Sequence, residues 1–207
     1  MIESPARPLP MPVSPARELV EANARLKRQV TELLAVQELA QSLAGELHLD
    51  ALLEMALGGI ASLVGAHELS LLLVEPARRC LVVRARRGTD RRHPLGKCYP
   101  IGEGLAGWVA RHQVPLLLPD IAGQPDFQAL ARQDEWAGGA LVAVPLLLQE
   151  RLVGVVCAAE RAGGLAFEER DLRLLIALAP HLAIAIRNAQ LYEDLMAELT
   201  RAASQRA

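Results

Sequence analysis

Three glycines in one short segment have the spacing of a phosphate-binding loop. Gly102, Gly104 and Gly107 form the pattern Gly-x-Gly-x-x-Gly, which in dinucleotide-binding proteins makes a tight turn at a helix N-terminus that holds a pyrophosphate. That use also requires a full strand before the loop and a long crossover helix after it. Here the preceding strand pattern is short, and Pro115 ends the helix after about two turns. We therefore interpret these glycines as a turn that lets a short helix pack closely on a sheet, with a helix N-terminus that could hold an anion.

The cysteines and histidines do not form a metal-binding pattern. The three cysteines, Cys80, Cys98 and Cys157, are odd in number, irregularly spaced and without a Cys-x-x-Cys pair, so neither a disulfide framework nor a cysteine zinc site is expected. Cys80 and Cys157 fall in strand patterns and are predicted to be small core residues. The five histidines are dispersed along the chain. We expect no metal site, and this use of cysteine is typical of a reducing cytoplasm.

A cluster of arginines is the most unusual charge feature of the sequence. Seven arginines fall between positions 78 and 92. Arg84 and Arg86 are two residues apart on one predicted strand, which places them on the same face. Arg87 and Asp90 fit an Arg-x-x-Asp pattern that some cyclic dinucleotide sites use to hold guanine and phosphate. One interpretation is a solvated hairpin edge whose charges prevent edge pairing. The other is that these four residues form a patch for an anionic partner.

The composition is that of a globular chain with an aliphatic core. Of the 207 residues, 52% are hydrophobic and only 3% are aromatic, so leucine, valine, isoleucine and alanine must fill the interior. The net charge of −2 and the pI near 6.2 argue against nucleic acid as a partner. No unbroken apolar run reaches the roughly 20 residues of a membrane span, and the proline-rich start lacks the apolar segment of a secretion signal. We expect a cytoplasmic protein of one domain plus extensions, without a membrane anchor.

Two long helices with a seven-residue hydrophobic repeat frame the chain. They are predicted over 17–45 and 168–202, and Pro180 should kink the second. One chain cannot cover both apolar stripes as well as the faces of its other helices, so we predict a parallel homodimer with a helical bundle. The predicted dimer seam consists of Leu19, Leu26, Leu33, Leu175, Leu182, Ala189 and Met196. The alternative is that the two helices pack only on each other and on the sheet.

Strand patterns fill the middle of the chain. Leu69–Glu75 and Cys80–Arg86 flank one turn, and Ala140–Leu148 and Leu152–Ala159 flank another, which predicts two hairpins. With two shorter strands near 98–101 and 115–119, the sequence predicts an α+β fold whose central antiparallel sheet has about six strands flanked by helices. The predicted organisation is a proline-rich tail over 1–16, the first helix, a core domain over 46–167, the last helix and a short tail over 203–207.

Six blocks of the sequence, in this order, resemble the successive motifs of a GAF domain. They are GEGLAGWVAR from Gly102, PDIAGQPDF from Pro119, LVAVPL from Leu141, LVGVV from Leu152, FEERDL from Phe167 and AIRNAQLY from Ala185. Each block alone is weak evidence, whereas six in the right order are specific. The resemblance covers about 33–195 of the chain.

The resemblance implies a sensory fold with a ligand pocket. In such proteins a small ligand lies between the antiparallel sheet and the loops over it, and the flanking helices pass a signal to an output domain. Aromatic and charged residues in the corresponding region are the candidate pocket residues: Tyr99, Trp108, Arg111, Asp120, Asp126, Phe127, Arg132 and Trp136. An apolar pocket with a few convergent polar groups is the usual binding site. The alternative for Trp108 and Phe127 is that they only pack the loop onto the sheet.

The family also includes enzymes that reduce free methionine sulfoxide, and the cysteines bear on that alternative. The resemblance implies one cysteine in the loop before the glycine-rich helix, and Cys98 lies close to that place. A second belongs in the Gly-x-Gly segment, where this chain has Leu105-Ala106-Gly107. A third belongs in the loop before the second hairpin, where this chain has none. The chemistry needs a thiolate with a resolving thiol nearby.

The cyclic-nucleotide subgroup of the family carries a further signature, which is only partly present. Glu160-Arg161 stands in place of its Asn-Lys pair, and Leu172 stands in place of its last residue, a glutamate. Phe167 and Asp171 are retained. In ordinary members of the family the phenylalanine packs and the aspartate caps a helix or pairs locally.

The sequence therefore predicts a non-enzymatic GAF-type module that binds a small ligand and signals through a homodimeric helical bundle to an output protein. It does not identify the ligand or any cofactor, and we expect neither a membrane nor a nucleic-acid partner. The alternatives are a structural dimerisation module whose pocket is filled by its own side chains, and a sulfoxide reductase-like enzyme that uses Cys98.

Overall fold

The computed structural model of the chain describes residues 15–89, 93–133 and 139–204. By its internal contacts the chain divides into two compact units, one that ends at Leu34 and one that begins at Ala35. The first helix runs through both units, while the sheet and the other helices belong to the second.

Five α-helices and six strands are present in the described ranges. The helices are α1 (Pro15–Ala44), α2 (Leu49–Val64), α3 (Gly104–His112), α4 (Pro125–Gln133) and α5 (Glu169–Ser204). The strands are β1 (Ala66–Glu75), β2 (Cys80–Arg87), β3 (Cys98–Pro100), β4 (Leu116–Leu118), β5 (Leu141–Leu148) and β6 (Arg151–Arg161). Short 3₁₀ turns lie at Ile121–Gly123 and Ala162–Gly164.

The strands form one antiparallel sheet in the order β3-β2-β1-β6-β5-β4. Both predicted hairpins are present, as β1–β2 and β5–β6, because each pair of apolar runs is separated by a short polar turn. The two edge strands have only three residues each, which limits the open edge of the sheet. The predicted α+β class with a six-stranded antiparallel sheet is confirmed.

The sheet separates two hydrophobic layers. On one face, Leu71 and Leu73 pack with the apolar sides of α2 and α5. On the other face, Leu72 and Leu81 pack with residues of α3. Successive side chains of a strand point to opposite faces, so the apolar run in β1 serves both layers.

A β-bulge in β2 changes this alternation at Arg84. Leu71 is opposite Ala85 and Leu72 is opposite Val83, so Arg84 is the extra residue. The Arg84 guanidinium lies toward α2, with Nη2 4.0 Å from Asp50 Oδ1, whereas Arg86 is opposite Ser70 on the other face. The prediction that Arg84 and Arg86 share a face is therefore wrong, because the rule of spacing by two fails at a bulge.

The first part of α5 is a core helix. Leu175, Leu182 and Ala189 are at most 1% exposed and belong to the layer between α5 and the sheet. Their prediction as dimer seam residues is wrong, because the sheet of the same subunit covers that stripe. Met196, the fourth residue of the predicted C-terminal seam, is exposed, as is every residue of α5 from Leu191 to its end.

Four exposed apolar residues of α5 form a different stripe. It consists of Ile184, Leu191, Leu195 and Leu199, which lie about one or two turns apart and are 47–56% exposed. By length and composition alone α5 could cross a membrane, but half of its most apolar window is buried inside the fold. The high hydropathy of that window is accounted for by its contacts with the sheet.

The helix α1 changes character along its length. In the first unit, Leu19, Leu26 and Leu33 are 60–71% exposed. In the second unit, Val36, Ala40 and Leu43 are buried in the same layer as α2 and α5. Their spacing of three and four residues places them on one side of the helix.

An ion pair joins the end of β6 to the start of α5. Asp171 is fully buried, and its Oδ2 lies 3.1 Å from Arg161 Nη1. The same oxygen accepts a hydrogen bond from the backbone N–H of Glu168, which caps the helix. Arg161 also donates to the carbonyl of Ala166, and Phe167 beside it is 2% exposed. These contacts fix the turn through which the sheet leads into α5.

Candidate functional site

Two small adjoining cavities lie on the face of the sheet that packs against α3. The first has a volume of about 20 Å³ and the second about 10 Å³, so each holds about one water molecule. Ser70, His93 and Cys157 line both cavities. The remaining lining residues of the first are Glu68, Leu69, Arg86, Arg87 and Ala159, and those of the second are Leu72, Tyr99, Leu105, Ala106 and Leu141.

The strand register brings the polar lining together. Ser70 of β1 is opposite Arg86 of β2 on one side and opposite Cys157 of β6 on the other. Directly opposed residues of antiparallel strands have neighbouring side chains, so these three form a row across the sheet. Ser70 is the only polar residue in the apolar run 69–74. A single polar residue within an apolar strand pattern indicates this site, and the predicted pocket residues do not include it.

Tyr99 of the edge strand β3 and His93 of the loop before it form one wall of the second cavity. The Tyr99 hydroxyl and His93 Nδ1 are 2.6 Å apart, and the two ring centroids are 5.4 Å apart. Lys97 Nζ lies 4.9 Å from the Tyr99 ring centroid, within the range of a cation–π contact. Tyr99 is only 6% exposed, so the edge strand β3 inserts this ring into the fold.

Glu68 holds the segment that follows β2 beside the cavities. Its Oε1 accepts a hydrogen bond of 2.6 Å from the backbone N–H of Thr89 and one of 3.2 Å from the Thr89 hydroxyl. A Cβ at Gly88 would overlap the Glu68 carboxylate, and Gly88 has a φ of +116°. Glycine at this position therefore lets the chain pass directly over Glu68.

The three glycines of the Gly-x-Gly-x-x-Gly segment make the turn from β3 into α3. Gly102 and Gly104 have φ values of +101° and +66°, and the Gly102 N–H donates a 2.8 Å hydrogen bond to the Gly107 carbonyl. A Cβ at Gly107 would lie 2.5 Å from the Pro100 carbonyl oxygen. The Gly104 N–H donates to Gln133 Oε1 of α4 over 2.8 Å. This donor at the start of α3 is therefore already used, and the expectation of a free anion-binding N-terminus is wrong for it.

Of the predicted pocket residues that the structure describes, Tyr99 alone lines these two cavities. Trp108 stacks on His112 at 4.3 Å and meets the edge of Phe127 at 5.3 Å, so these rings pack α3 against α4. Asp120 caps the following 3₁₀ turn by accepting from the Ala122 N–H. The other predicted polar residues, Arg111, Asp126 and Arg132, are exposed on α3 and α4. Trp136 lies outside the described residues.

The predicted anionic-partner patch is divided. Arg86 and Arg87 line the first cavity, Arg84 lies on the face toward α2, and Asp90 lies outside the described residues. Among the described residues, no group of three histidine, cysteine or acidic side chains is placed to hold a metal ion.

Cys80 and Cys98 form a disulfide, so the expectation that the cysteines stay unpaired is wrong for these two. They begin β2 and β3, with their Cα atoms 5.9 Å apart, and the register places them diagonally across the ladder. The number of cysteines in the sequence does not predict such a pairing, because the pairing depends on the register of an edge strand. Cys157 takes no part in a disulfide and is 7% exposed.

Solved structures share this fold. The GAF domain of a phosphoenolpyruvate-protein phosphotransferase from Coxiella burnetii superposes with a TM-score of 0.67 at 22% identity, covering 79% of this chain and 96% of that one. The corresponding domain from Acinetobacter gives 0.65 at 18%, covering 78% and 95%. Free methionine-R-sulfoxide reductase from Neisseria meningitidis gives 0.62 at 21%, covering 76% and 89%.

The family model described as GAF domain matches residues 46–187. The match extends from the segment before α2 into α5 and includes the whole sheet, both cavities and the glycine-rich turn. It covers well over half of the chain, and the predicted resemblance is confirmed. This chain belongs to the GAF domain family.

Proposed function

We propose that this chain is a non-enzymatic sensory or regulatory module that binds a small ligand between the sheet and the β3–α3 segment. GAF domains occur in sensor and regulatory proteins, and the two phosphotransferase structures above are such domains by name. The observation that carries the proposal is the row of Arg86, Ser70 and Cys157 under the Tyr99–His93 wall. A cationic group, a hydroxyl and apolar surfaces converge there, as in binding sites for small polar molecules.

Ligand entry requires the wall to move. A volume of about 20 Å³ is far below the hundreds of Å³ that a small-molecule site needs. Tyr99 and His93 sit on a three-residue edge strand and on the loop before it, and short edge elements are easier to displace than central strands. Withdrawal of the two rings would join both cavities into one site above Ser70.

The path of the signal is proposed to run through the sheet into α5. Cys157 of β6 and Leu141 of β5 line the cavities, and the opposite face of β5 packs on α5 through Val142 and Val144. A change in strand position at the cavity would therefore reach this helix, whose end extends beyond the domain core. We propose that α1 and α5 each expose an apolar stripe for a second copy of the chain, and that the dimer acts on an output protein in the cytoplasm.

The absence of catalysis is also part of the proposal. Cys98, the cysteine at a place that the resemblance associates with sulfoxide reduction, is joined to Cys80. Ala106 occupies the glycine-rich segment where a second cysteine belongs, and it lines the cavity. We expect no reduction of free methionine sulfoxide by the wild-type chain. Activity that is lost in Cys98→Ser would overturn this part of the proposal.

A structural role is the second candidate, and the small size of the cavities favours it. Tyr99, Leu105 and Ala106 line the second cavity, whose volume is only about 10 Å³. In that case the domain would serve to dimerise the chain, and its pocket would stay closed. The two functions differ in whether the freshly purified protein retains a small molecule.

Native mass spectrometry of the freshly purified protein tests both candidates in one measurement. A sensory module should carry a bound molecule of defined mass, which Ser70→Leu should abolish because leucine fills the cavity. Ser42→Leu places the same side chain on the exposed surface of α1 and should leave the bound molecule in place. A bare protein that stays bare after incubation with a cell extract would favour the structural role.

A further inference from the structure

The disulfide between Cys80 and Cys98 joins the strand that carries Tyr99 to the rest of the sheet. β3 pairs with β2 through Cys80 and Pro100, Leu81 and Tyr99, and Val82 and Cys98. Tyr99 points to the face of the cavities, and Cys98 before it is exposed on the edge of the sheet. The bond joins two residues 18 positions apart and closes a loop that includes His93.

The two cysteines differ in exposure, which suits a reversible bond. Cys80 is 2% exposed, whereas Cys98 lies at the surface. An incoming thiolate or peroxide therefore reaches the Cys98 sulfur first, and Cys80 is placed to act as the resolving or leaving thiol.

We infer that Cys80 and Cys98 are a redox modification site, a dithiol that a hydroperoxide converts to a disulfide and that a small dithiol reduces again. Oxidation fastens β3 and its Tyr99–His93 wall to β2, and reduction releases them. The cysteine chemistry stands on its own geometry, whereas its consequence for ligand entry rests on the proposed function.

The oxidation proceeds in two balanced steps. The Cys98 thiolate attacks one oxygen of the hydroperoxide, the O–O bond breaks, and the leaving alkoxide takes up a proton as an alcohol, which leaves Cys98 as a sulfenic acid. The Cys80 thiolate then attacks the Cys98 sulfur, forming the S–S bond and breaking the S–O bond, and the hydroxide leaves as water. The two sulfurs lose two electrons in total, which the peroxide gains.

The reduction reverses the electron flow. One thiolate of the dithiol attacks the exposed Cys98 sulfur and releases Cys80, which takes up a proton. The second thiol of the reductant then closes its own disulfide and releases Cys98. Because the bond joins residues 18 positions apart, its loss raises the population of locally open states.

The test compares the oxidised and reduced forms of the full chain without any ligand. After treatment with hydrogen peroxide, peptide mapping should find Cys80 linked to Cys98, and dithiothreitol should release both thiols in the folded protein. Hydrogen exchange of the backbone amides over 93–105 should be about tenfold to 100-fold faster in the reduced form. Cys98→Ala, at an exposed position, should exchange at the fast rate under both conditions.

A matched variant in the same loop keeps both cysteines. Leu95 is 62% exposed, so Leu95→Ala should retain the difference between the oxidised and reduced forms. The inference is wrong if peroxide leaves the two thiols unpaired, if the bond yields to dithiothreitol only after denaturation, or if the two forms exchange at rates within twofold of each other. None of these readouts depends on a bound ligand, so failure of the redox site and failure of the sensory function are distinguishable.

Discussion

The buried carboxylate of Asp171 makes two contacts at the junction between β6 and α5. It pairs with Arg161 at 3.1 Å and accepts the N–H of Glu168 at the start of α5. Removing one partner of a buried pair leaves the other charge uncompensated, which costs about 3–5 kcal/mol. The Arg161 side chain is 19% exposed and can still reach water, so the lower end of this range applies.

We therefore predict that Asp171→Ala lowers the free energy of unfolding by about 3 kcal/mol, as measured by urea denaturation. Asp171→Asn keeps an acceptor for the Glu168 N–H and should lose less. Glu169→Ala removes an exposed acid from the same helical turn and should cost less than about 1 kcal/mol. Equal effects of Asp171→Ala and Glu169→Ala would show that the buried pair does not stabilise the junction.

Gly107 and Gly58 are helical glycines with opposite surroundings. An added Cβ at Gly107 would lie 2.5 Å from the Pro100 carbonyl oxygen, whereas one at Gly58 in α2 would meet no atom within 4 Å. We predict that Gly107→Ala destabilises the fold by about 1–2 kcal/mol, because α3 must move away from β3. Gly58→Ala should stabilise it by up to about 1 kcal/mol through helix propensity. Thermal unfolding of both variants measures this contrast, and a stabilised Gly107→Ala would contradict the close approach.

The residues of the site were harder to predict than their chemistry. The aromatic side chains were the obvious candidates in a chain with so few of them, yet Trp108 and Phe127 pack α3 on α4. Ser70 and Cys157 lie within apolar strand patterns, and their place in one row with Arg86 depends on the register of three strands. The pattern of a single sequence shows on which face of a strand a side chain lies. It does not show which residue lies opposite on the neighbouring strand.

At the level of elements, the hairpins were predictable because they are local. Each consists of two apolar runs around a short polar turn, so sequence distance and spatial distance agree. The bulge at Arg84 and the element that covers the apolar stripe of α5 depend instead on residues that are distant in the sequence. A heptad repeat shows that a stripe must be covered, and it does not show whether a sheet or a second helix covers it.

The two stripes of α5 make a direct test of this distinction. Leu182 is 1% exposed in the core, and Leu195 is 53% exposed near the end of the helix. We predict that Leu182→Glu unfolds the domain, since burying an unpaired carboxylate costs more than about 4 kcal/mol. Leu195→Glu should leave the fold intact, with the circular dichroism spectrum of the wild type. Unfolding by both variants would mean that the end of α5 also packs on the domain core.

For the whole molecule, the exposed apolar residues predict a homodimer. Leu26 of α1 and Leu195 of α5 are 60% and 53% exposed, and each belongs to a longer stripe of exposed apolar residues on its own helix. Isolated apolar residues are common on protein surfaces, whereas continuous stripes of this kind indicate an interaction surface. A second copy of the chain offers the same stripes and closes the assembly with twofold symmetry.

We predict that light scattering after size-exclusion chromatography gives a dimer for the wild type and a monomer for the double variant Leu26→Glu, Leu195→Glu. A carboxylate in each apolar stripe must either give up its hydration in the interface or hold the second helix away. The dissociation constant of the dimer should therefore increase at least about 100-fold. Thr31→Glu adds the same charge at an exposed position of α1 outside the heptad seam and should stay dimeric. Circular dichroism distinguishes dissociation from unfolding, since the core residues of both helices are unchanged. A wild-type chain that remains monomeric at high concentration would contradict the predicted homodimer and would indicate that these stripes bind a different partner.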